Sequence, residues 1–522
     1  MGLSIIQLFK QQVQTHPGRS AVIYNQQPMS YQDLAERVRK LCGWLADKGV
    51  TQGAHLVVAL NNSMEFAVLM LAAADLGIVI APVSTTLTAK ALEVAISSTD
   101  AAYLIAAPNV VKKYLQLEPT NRVLTSTQVF AFSALAEDPQ DLSQSWRTVY
   151  NTAYVLGERS GQQDLDYILT MTSGSTGQPK PIVLTQGTKI RRAFDGAVDL
   201  YGLNDSEVVL VASPMYHSLA QRLTLLPLML GGTAVIITQF AAKAWLEAVE
   251  QHRVSFTLAV SSHLKQILAY LAHNTADLSS LQTLVSSSAL LDADLKLQCI
   301  EHFQCAFHEC YGASEVGIVT NLSPEDTGCF LRSVGKALPY VDLKIVDSQN
   351  NPLNTGEVGE IVCRSSTAFS RYYKRPEATQ EAVIEGYFHT GDLGYLDAEG
   401  FLYLKGRQKD CIIVGGTNVY PTDIEEVIAK VAGISEVAVI GVEDSYFGEA
   451  ILAVLVVNAS FNLQWVKKAC LTELADYQQP MAYEVVTQLP KNAMGKLMKQ
   501  TLKAQFQDYD ATKALRVMLN KI

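Results

Sequence analysis

The sequence predicts an α/β protein. A large N-terminal domain (1–408) of layered α/β subdomains, ending in a β-rich subdomain, precedes a small mobile α+β C-terminal domain (409–522). Three observations carry this expectation. The first 400 or so residues alternate short apolar runs with helix-sized amphipathic segments, the pattern of mainly parallel sheets. After about Ser333 the texture changes to strand-like runs separated by Gly, Asn and Pro. From Asp410 the α/β alternation restarts. A chain of 522 residues is also too long for one ordinary core. No linker, internal repeat or low-complexity tract interrupts it, so a boundary near Lys409 implies a short hinge.

The elements follow in order. Tyr31 to Lys48 places Leu34, Val38, Leu41 and Leu45 on one helical stripe. His55 to Leu60 is a short buried strand. Phe66 to Val83 is the most apolar segment, but Asp75 and Gly77 interrupt it and Pro82 closes it. It reads as a buried helix running into a buried strand, not as a membrane span. Ala101–Ala106, Tyr167–Met171, Val208–Ala212, Thr233–Ile237, Thr283–Ser286 and Ala306–Cys310 are strand-like. So are Val341–Val346 and Glu360–Arg364 in the β-rich stretch. After Pro421, Thr422-Asp423-Ile424-Glu425 has the form of a capping box that opens a helix. Val437–Val442 and Ile451–Val457 read as strands, and Leu497–Ile522 as an amphipathic helical tail.

Composition narrows the classes. Hydrophobic residues make up 48% and charged residues 18%, ordinary for an enzyme with large buried sheets. The formal net charge of -10 argues against sequence-nonspecific nucleic-acid binding, since no basic excess is available for phosphates. The eight cysteines form no Cys-x-x-Cys pair, which favours thiols in a reducing compartment over a zinc site or a disulfide framework. The N-terminus lacks a signal-peptide pattern, and Ile6 stands where a myristoylation motif needs Ser or Thr. A soluble cytoplasmic protein with no membrane span is expected.

Residues 172 to 180 carry the strongest chemical signal. Thr172, Ser173, Gly174, Ser175, Thr176 and Gly177 put four hydroxyls and two glycines in six residues, and Lys180 follows. A strand opening into such a loop can hold phosphates: glycines let backbone approach the anion, hydroxyls and N–H groups donate, and lysine adds charge. A plain flexible loop has the same composition. A Walker loop is disfavoured, because Pro179 and Pro181 flank the lysine where Gly and Ser or Thr are required. The stretch resembles the phosphate loop of the adenylate-forming superfamily, which includes acyl-CoA and aryl-CoA synthetases, peptide-synthetase adenylation domains and firefly-type luciferases. Pro181 departs from the glycine usual there.

Further motifs appear in the family's order. Tyr311-Gly312-Ala313-Ser314-Glu315 resembles Tyr-Gly-x-Thr-Glu, with Ser314 for Thr. The resemblance implies Tyr311 and Gly312 by the adenine, Ser314 at the α-phosphate, and Glu315, with Thr176, on Mg²⁺. Gly386 to Lys409 matches the Thr-Gly-Asp and Gly-Arg-x-Lys-Asp signatures. Asp392 is thereby implied to accept from the ribose hydroxyls, Arg407 to support the nucleotide, and Lys409 to be the hinge. Gly415 and Gly416 resemble the loop lining the pantetheine tunnel of CoA ligases. Pro490 to Lys496 carries the family's catalytic lysine onto Lys496, whose charge would offset repulsion between a carboxylate and the α-phosphate.

The acyl site is the unusual part. Ser213 to His217 resembles the family's Pro-x-x-His element, with Tyr216 on the wall and His217 at the carboxylate end of the pocket. Ser286 to Leu291 aligns with a segment that usually reads Ser-Gly-Gly/Ala-Ala-Pro-Leu, so Ser287 and Ser288 replace glycine positions and Leu290 replaces proline. Ser261 and Ser262 stand where Pro is common, and Ala313 completes the lining. Bulk and hydroxyls there favour a small or functionalised acid over a long fatty acid.

The resemblance spans essentially the whole chain. It implies an ATP- and Mg²⁺-dependent ligase that makes an acyl-adenylate and passes the acyl group to a thiol. CoA is the first expectation for that thiol, and a carrier-protein phosphopantetheine, on a separate acyl or aryl carrier protein, the alternative. A non-catalytic acyl or nucleotide binder and a P-loop NTPase are the readings from other classes. The acid and the oligomeric state, a homodimer included, stay open.

Overall fold

The computed structural model describes residues 2–133, 144–145, 149, 163–172, 180–288, 291–444, 447–491 and 497–510. The chain forms two compact units. The first comprises Met1–Leu331, Leu338–Asp342 and Arg364–Phe388, the second Arg332–Ala337, Leu343–Cys363 and His389–Ile522.

Two sheets organise the first unit. In one, Ala306–Ala313, Thr283–Ser287, Phe256–Val260, Val208–Val211 and Thr233–Ile236 lie side by side in that order and run parallel. Val208–Val211, Thr233–Ile236 and Phe256–Val260 are runs of apolar or β-branched residues buried on both faces, as parallel strands require. Trp245, Leu246 and Val249 of the helix Ala242–His252 pack with Leu264, Ile267 and Leu268 of Ser261–Leu271 against this sheet. Each such buried side chain contributes about 1.5–3 kcal/mol relative to exposure. Because the strands are parallel, their carboxyl ends gather on one edge, where open α/β sheets bind ligands.

The second sheet has the order Arg371–Tyr372, Lys180–Thr185, Asp166–Thr172, Val79–Pro82, His55–Ala59, Tyr103–Ala106, Val129–Ser133. The apolar segment is the expected helix and strand. Met64–Leu76 is capped by Ser63, whose side chain accepts from the Phe66 N–H, and the chain then enters Val79–Pro82. Asp75, the one acid in that buried helix after its first turn, pairs with Lys10 at 3.2 Å. No described helix is long and apolar enough to cross a membrane.

In the second unit Asp392–Leu396 pairs antiparallel with Leu402–Arg407, and the long hairpin Ile434–Asp444/Gly448–Val457 takes Ala482–Val485 alongside in parallel. The helix Pro421–Ala429 covers one face of that hairpin with Ile424 and Ile428.

Two expectations are corrected. No capping box forms at Thr422. The helix already begins at Pro421, the Thr422 hydroxyl donates to the Lys405 carbonyl, and Asp423 pairs with Lys405 at 2.8 Å. Tertiary partners took the groups that would have capped the helix. The tail is helical only over Lys499–Gln505, and 511–522 lie outside the described residues. All eight cysteines are thiols, five of them buried.

Candidate active site

The phosphate-loop hairpin joins Asp166–Thr172 to Lys180–Thr185, with Thr172 opposite Lys180 and Met171 opposite Pro181. The loop itself, including Ser173, Gly174, Ser175, Thr176 and Gly177, lies outside the described residues. Pro181 fits where it stands. It is the second residue of its strand, where a missing N–H is tolerated, and its carbonyl accepts from the Tyr373 N–H at 2.8 Å.

Lys180 points at the ring of Tyr372, with Nζ 5.7 Å from the centroid. The Tyr372 hydroxyl donates to Glu315 Oε1 at 2.9 Å. Burial, and then the neighbouring Glu315 charge, push the Tyr372 phenol up, so it stays protonated and remains a donor. One tyrosine therefore ties the loop's lysine to the carboxylate expected to hold the metal ion.

Glu315 sits in the turn between Ala306–Ala313 and Gly317–Leu322. The first of these strands runs three residues beyond the expected Cys310. A backbone irregularity falls between Tyr311 and Gly312. Only glycine fits at 312, because a β-carbon would lie 2.0 Å from the Gly317 carbonyl oxygen. From the helix Gln186–Ala193, buried Arg192 grips the same turn. Its Nη2 donates to the carbonyls of Ser314 and Glu315, each at 2.9 Å, and its Nε to that of Thr367 at 2.9 Å. Burial, and then Arg222, lower Arg192 to about 9, which leaves it charged at neutral pH.

The implied acyl-pocket residues share the carboxyl edge of the parallel sheet. Ser261 follows the strand that ends at Val260, and Val260 is paired with Ser287. Ser288 has φ +78°, a left-handed conformation disfavoured for any residue but glycine, at the position where the resemblance expects a small residue. Ala289 lies outside the described residues. Leu291, just beyond, is held by its N–H to Glu309 Oε1 at 3.0 Å, and Glu309 pairs with fully buried Lys296 at 2.5 Å. Such a pair is costly to break from one side, about 3–5 kcal/mol, so it secures this edge of the sheet.

His217 ends the Ser213–His217 turn and precedes the helix Ser218–Leu230. Its ring lies 4.3 Å from that of Tyr216. Burial lowers it to about 4, so at neutral pH it is uncharged. Nε2 of His217 and the hydroxyls of Ser213 and Ser286 are buried without a partner among the described residues. Asn62 fixes this turn: its amide donates to the Ser213 carbonyl at 2.9 Å and accepts from the Met215 N–H at 2.7 Å.

In the second unit Asp392 and Arg407 face each other across their hairpin, and Arg407 Nε is 3.1 Å from Asp392 Oδ1. Glu360 braces the turn, accepting from the Gly391 N–H at 3.0 Å and pairing with His389 at 2.9 Å. The Thr390 hydroxyl accepts from the Asp392 N–H at 3.0 Å. Lys409 lies exposed in the one-turn helix Gln408–Asp410. Gly415 and Gly416, at φ +56° and +85°, make the two-residue turn between Ile412–Val414 and Thr417–Val419. Lys496 lies outside the described residues.

The site residues thus form two sets. Lys180, Tyr216, His217, Ser261, Ser287, Ser288 and Tyr311 to Glu315 belong to the first unit; Asp392, Arg407, Lys409, Gly415 and Gly416 belong to the second. Tyr372, Arg192, Asn62 and Glu360 were missed from sequence. Each acts on a partner at least 29 residues away and carries no local motif.

An Mg²⁺ ion fits the donors present in the first unit. The Glu315 carboxylate is a hard oxygen ligand, and among the described residues no three His, Cys, Asp or Glu side chains converge. A single protein carboxylate matches an ion that takes its other ligands from phosphate and water.

Comparison with known proteins now gives the family. The profile of the AMP-binding enzyme family matches residues 9–373, and that of the AMP-binding enzyme C-terminal domain matches 423–496. The chain is 30% identical over 499 residues to a feruloyl-CoA synthase of Amycolatopsis sp, covering 94% of this chain and 96% of that one. It is 30% identical over 486 residues to a long-chain-fatty-acid–CoA ligase of Mycobacterium tuberculosis, covering 92% and 93%. Its fold matches o-succinylbenzoate CoA synthetase from Bacillus subtilis, solved with the acyl-adenylate intermediate. That match has a TM-score of 0.83 at 26% identity and covers 95% of this chain and 97% of the other.

Proposed function

The chain belongs to the AMP-binding enzyme family of adenylate-forming acid–thiol ligases, and from that premise we propose that it activates a small or functionalised carboxylic acid with ATP and transfers the acyl group to CoA. The observation that carries this reading is the Lys180–Tyr372–Glu315 connection. It joins Lys180 to Glu315 through one tyrosine, which supports assigning the phosphates to the lysine and the metal ion to the carboxylate, and Glu315 follows a strand of the sheet whose carboxyl edge carries Ser261 and Ser287.

In the first half-reaction a carboxylate oxygen attacks the α-phosphorus of ATP, and pyrophosphate leaves with the electron pair of the broken P–O bond. Both reactants are anions, so catalysis must screen repulsion and hold the groups in line. Lys180 and the hydroxyls of Thr172, Ser173, Ser175 and Thr176 bind the phosphates. Glu315 and Thr176 would hold Mg²⁺, which supplies charge neutralisation to the departing pyrophosphate. Ser314 meets the α-phosphate, Tyr311 and Gly312 flank the adenine, and Asp392 with Arg407 takes the ribose. Lys496 bridges the two anions. Neutral His217 with Tyr216 walls the carboxylate end, and Ser261, Ser287, Ser288 and Ala313 line the acyl chain.

In the second half-reaction the thiolate attacks the acyl carbon and AMP leaves. The domain from Lys409 onward pivots between the two steps, so that Lys496 serves adenylation and the Gly415–Gly416 turn serves the thiol arm. The relatives' acids range from an aryl acid to long-chain fatty acids, so the preference for a functionalised acid rests on the serines and on the polar groups without partners around His217.

The test is carboxylate-dependent ATP–pyrophosphate exchange across aryl, short, medium and long-chain acids, followed by CoA thioester formation with the best acid. Exchange confined to one class, then thioester with CoA, is the expected result. ATP binding with no exchange for any acid would overturn adenylation. Exchange followed by transfer only to a carrier-protein phosphopantetheine would replace CoA as the acceptor.

A further inference from the structure

Around Ser218, next to His217, the first unit holds three cations, and two of them, Lys189 and Arg222, have no part in the adenylation chemistry described above. Lys189, on the helix Gln186–Ala193, is buried, and its Nζ reaches only neutral partners: Gln221 Oε1 at 2.6 Å and Ser218 Oγ at 3.4 Å. Arg192, one turn further on, also reaches Ser218 Oγ, at 3.5 Å, besides the three carbonyls it holds. Arg222 lies on the helix that starts immediately after His217, and its half-buried guanidinium has no hydrogen bond or ion pair to any described residue.

Gly196 lies against this group. It sits in the π-helical turn Phe194–Val198, an irregularity common at functional sites. A β-carbon there would stand 3.3 Å from the Tyr340 hydroxyl and 3.8 Å from Arg222 Nη1. The Tyr340 hydroxyl is itself buried with no partner among the described residues.

The Glu315 charge acts on Arg192, but among the described residues no ion pair joins a carboxylate to Lys189 or Arg222. Asp195, in the same turn, is pushed up by its burial and by Asp199, and no ion pair joins it to the cluster. Lys189 and Arg222 have no carboxylate partner among the described residues. Lys189 is driven well down by burial and then by Arg192 and Arg222, the response of like charges crowded without an anion. Leaving a guanidinium's five donors unmatched in a half-buried site is costly, and a carboxylate is the geometric match for its fork.

We propose that the acid substrate carries a second carboxylate, bound by Arg222 with Lys189 and the Tyr340 hydroxyl, so that the enzyme activates one end of a dicarboxylic acid. This deepens the function proposed above and rests on it for which end reacts. His217 marks the reacting end, and Arg222 lies five residues beyond it, about 7.5 Å along the helix axis. The spacer is therefore about the length of a benzene ring or a four-carbon chain.

The experiment compares matched acids in ATP–pyrophosphate exchange: hexanoate with adipate, and benzoate with terephthalate. For the wild-type chain kcat/KM should favour the diacid by about 100-fold or more. Arg222→Gln should collapse that ratio, chiefly through KM for the diacid, and Arg222→Lys should recover part of it. Lys189→Met should lower the ratio in the same direction. ATP binding reports that each variant is folded. A wild-type preference for the monoacid, or a ratio unchanged in Arg222→Gln, would overturn the proposal.

Calorimetric titration of adipate and terephthalate into the full chain separates the two readings. Diacid binding that Arg222→Gln abolishes, with no exchange by any acid, would keep this site and overturn adenylation. Exchange that is indifferent to the second carboxylate would do the reverse.

Discussion

Two turns in this protein each present a carboxylate at the end of an antiparallel pair, and they are braced in different ways. The Glu315 turn is held from far along the chain: by Arg192, 123 residues away, and by Tyr372, 57 residues away. The Asp392 turn is held from nearby, by Thr390 two residues away, by Arg407 directly across the hairpin, and by Glu360 within 31 residues. The first is a tertiary construction that exists only when two sheets and a helix are in place. The second is close to a property of its own hairpin. The two should therefore fail differently when perturbed.

Backbone space gives the largest contrast. Gly312→Ala puts a β-carbon 2.0 Å from a carbonyl oxygen that cannot give way without moving the strand. The expected cost exceeds about 4 kcal/mol, and the thermal midpoint should fall by roughly 10 °C or more. Gly391→Ala, in the Asp392 turn, meets nothing within 4 Å and pays only for φ +69°, about 1–2 kcal/mol. Equal losses measured by thermal unfolding would break the comparison.

The two arginines come next. Arg192→Met strands three carbonyls, one buried and two part-buried, so it should lower both stability, by about 2–4 kcal/mol, and pyrophosphate exchange, by about 100-fold. Arg407→Met removes a half-exposed partner and should leave the thermal midpoint almost unchanged while exchange falls. An Arg192→Met protein of wild-type stability would show that the turn stands without it. The smallest effect sharpens the picture. Tyr372→Phe deletes one hydrogen bond to Glu315, about 1 kcal/mol, and should cost about 5- to 10-fold in exchange, with a higher Mg²⁺ requirement. No change in the Mg²⁺ dependence would separate Tyr372 from the metal-binding role.

The same contrast explains what was legible beforehand. The strands of the parallel sheet were visible as apolar runs, and the helix-to-strand segment 64–82 was recognised by its length and its Gly77 and Pro82 punctuation. The motifs at Thr172–Lys180, Tyr311–Glu315 and Gly386–Lys409 were recognised in order, and family membership followed. Asn62, Arg192, Arg222 and Tyr372 were not visible, because nothing in their neighbours distinguishes them from surface or core residues. The capping box at Thr422 failed for a related reason. Its local pattern was sound, but Lys405 offered both Thr422 and Asp423 better partners from another element.

By itself the sequence determined which segments are strands or helices, which face of each is buried, and which short turns carry glycine, hydroxyl and carboxylate groups. Those depend on periodicity and on backbone freedom, which act within a few residues. Only the tertiary structure decided that Arg192 grips the Glu315 turn, that Tyr372 joins it to Lys180, and that Arg222 finds no partner among the described residues. Periodicity says that a face is buried but not against what. A charge or hydroxyl acquires its partner only when strand order and helix packing bring distant residues within about 3 Å, where a hydrogen bond outweighs the cost of leaving water.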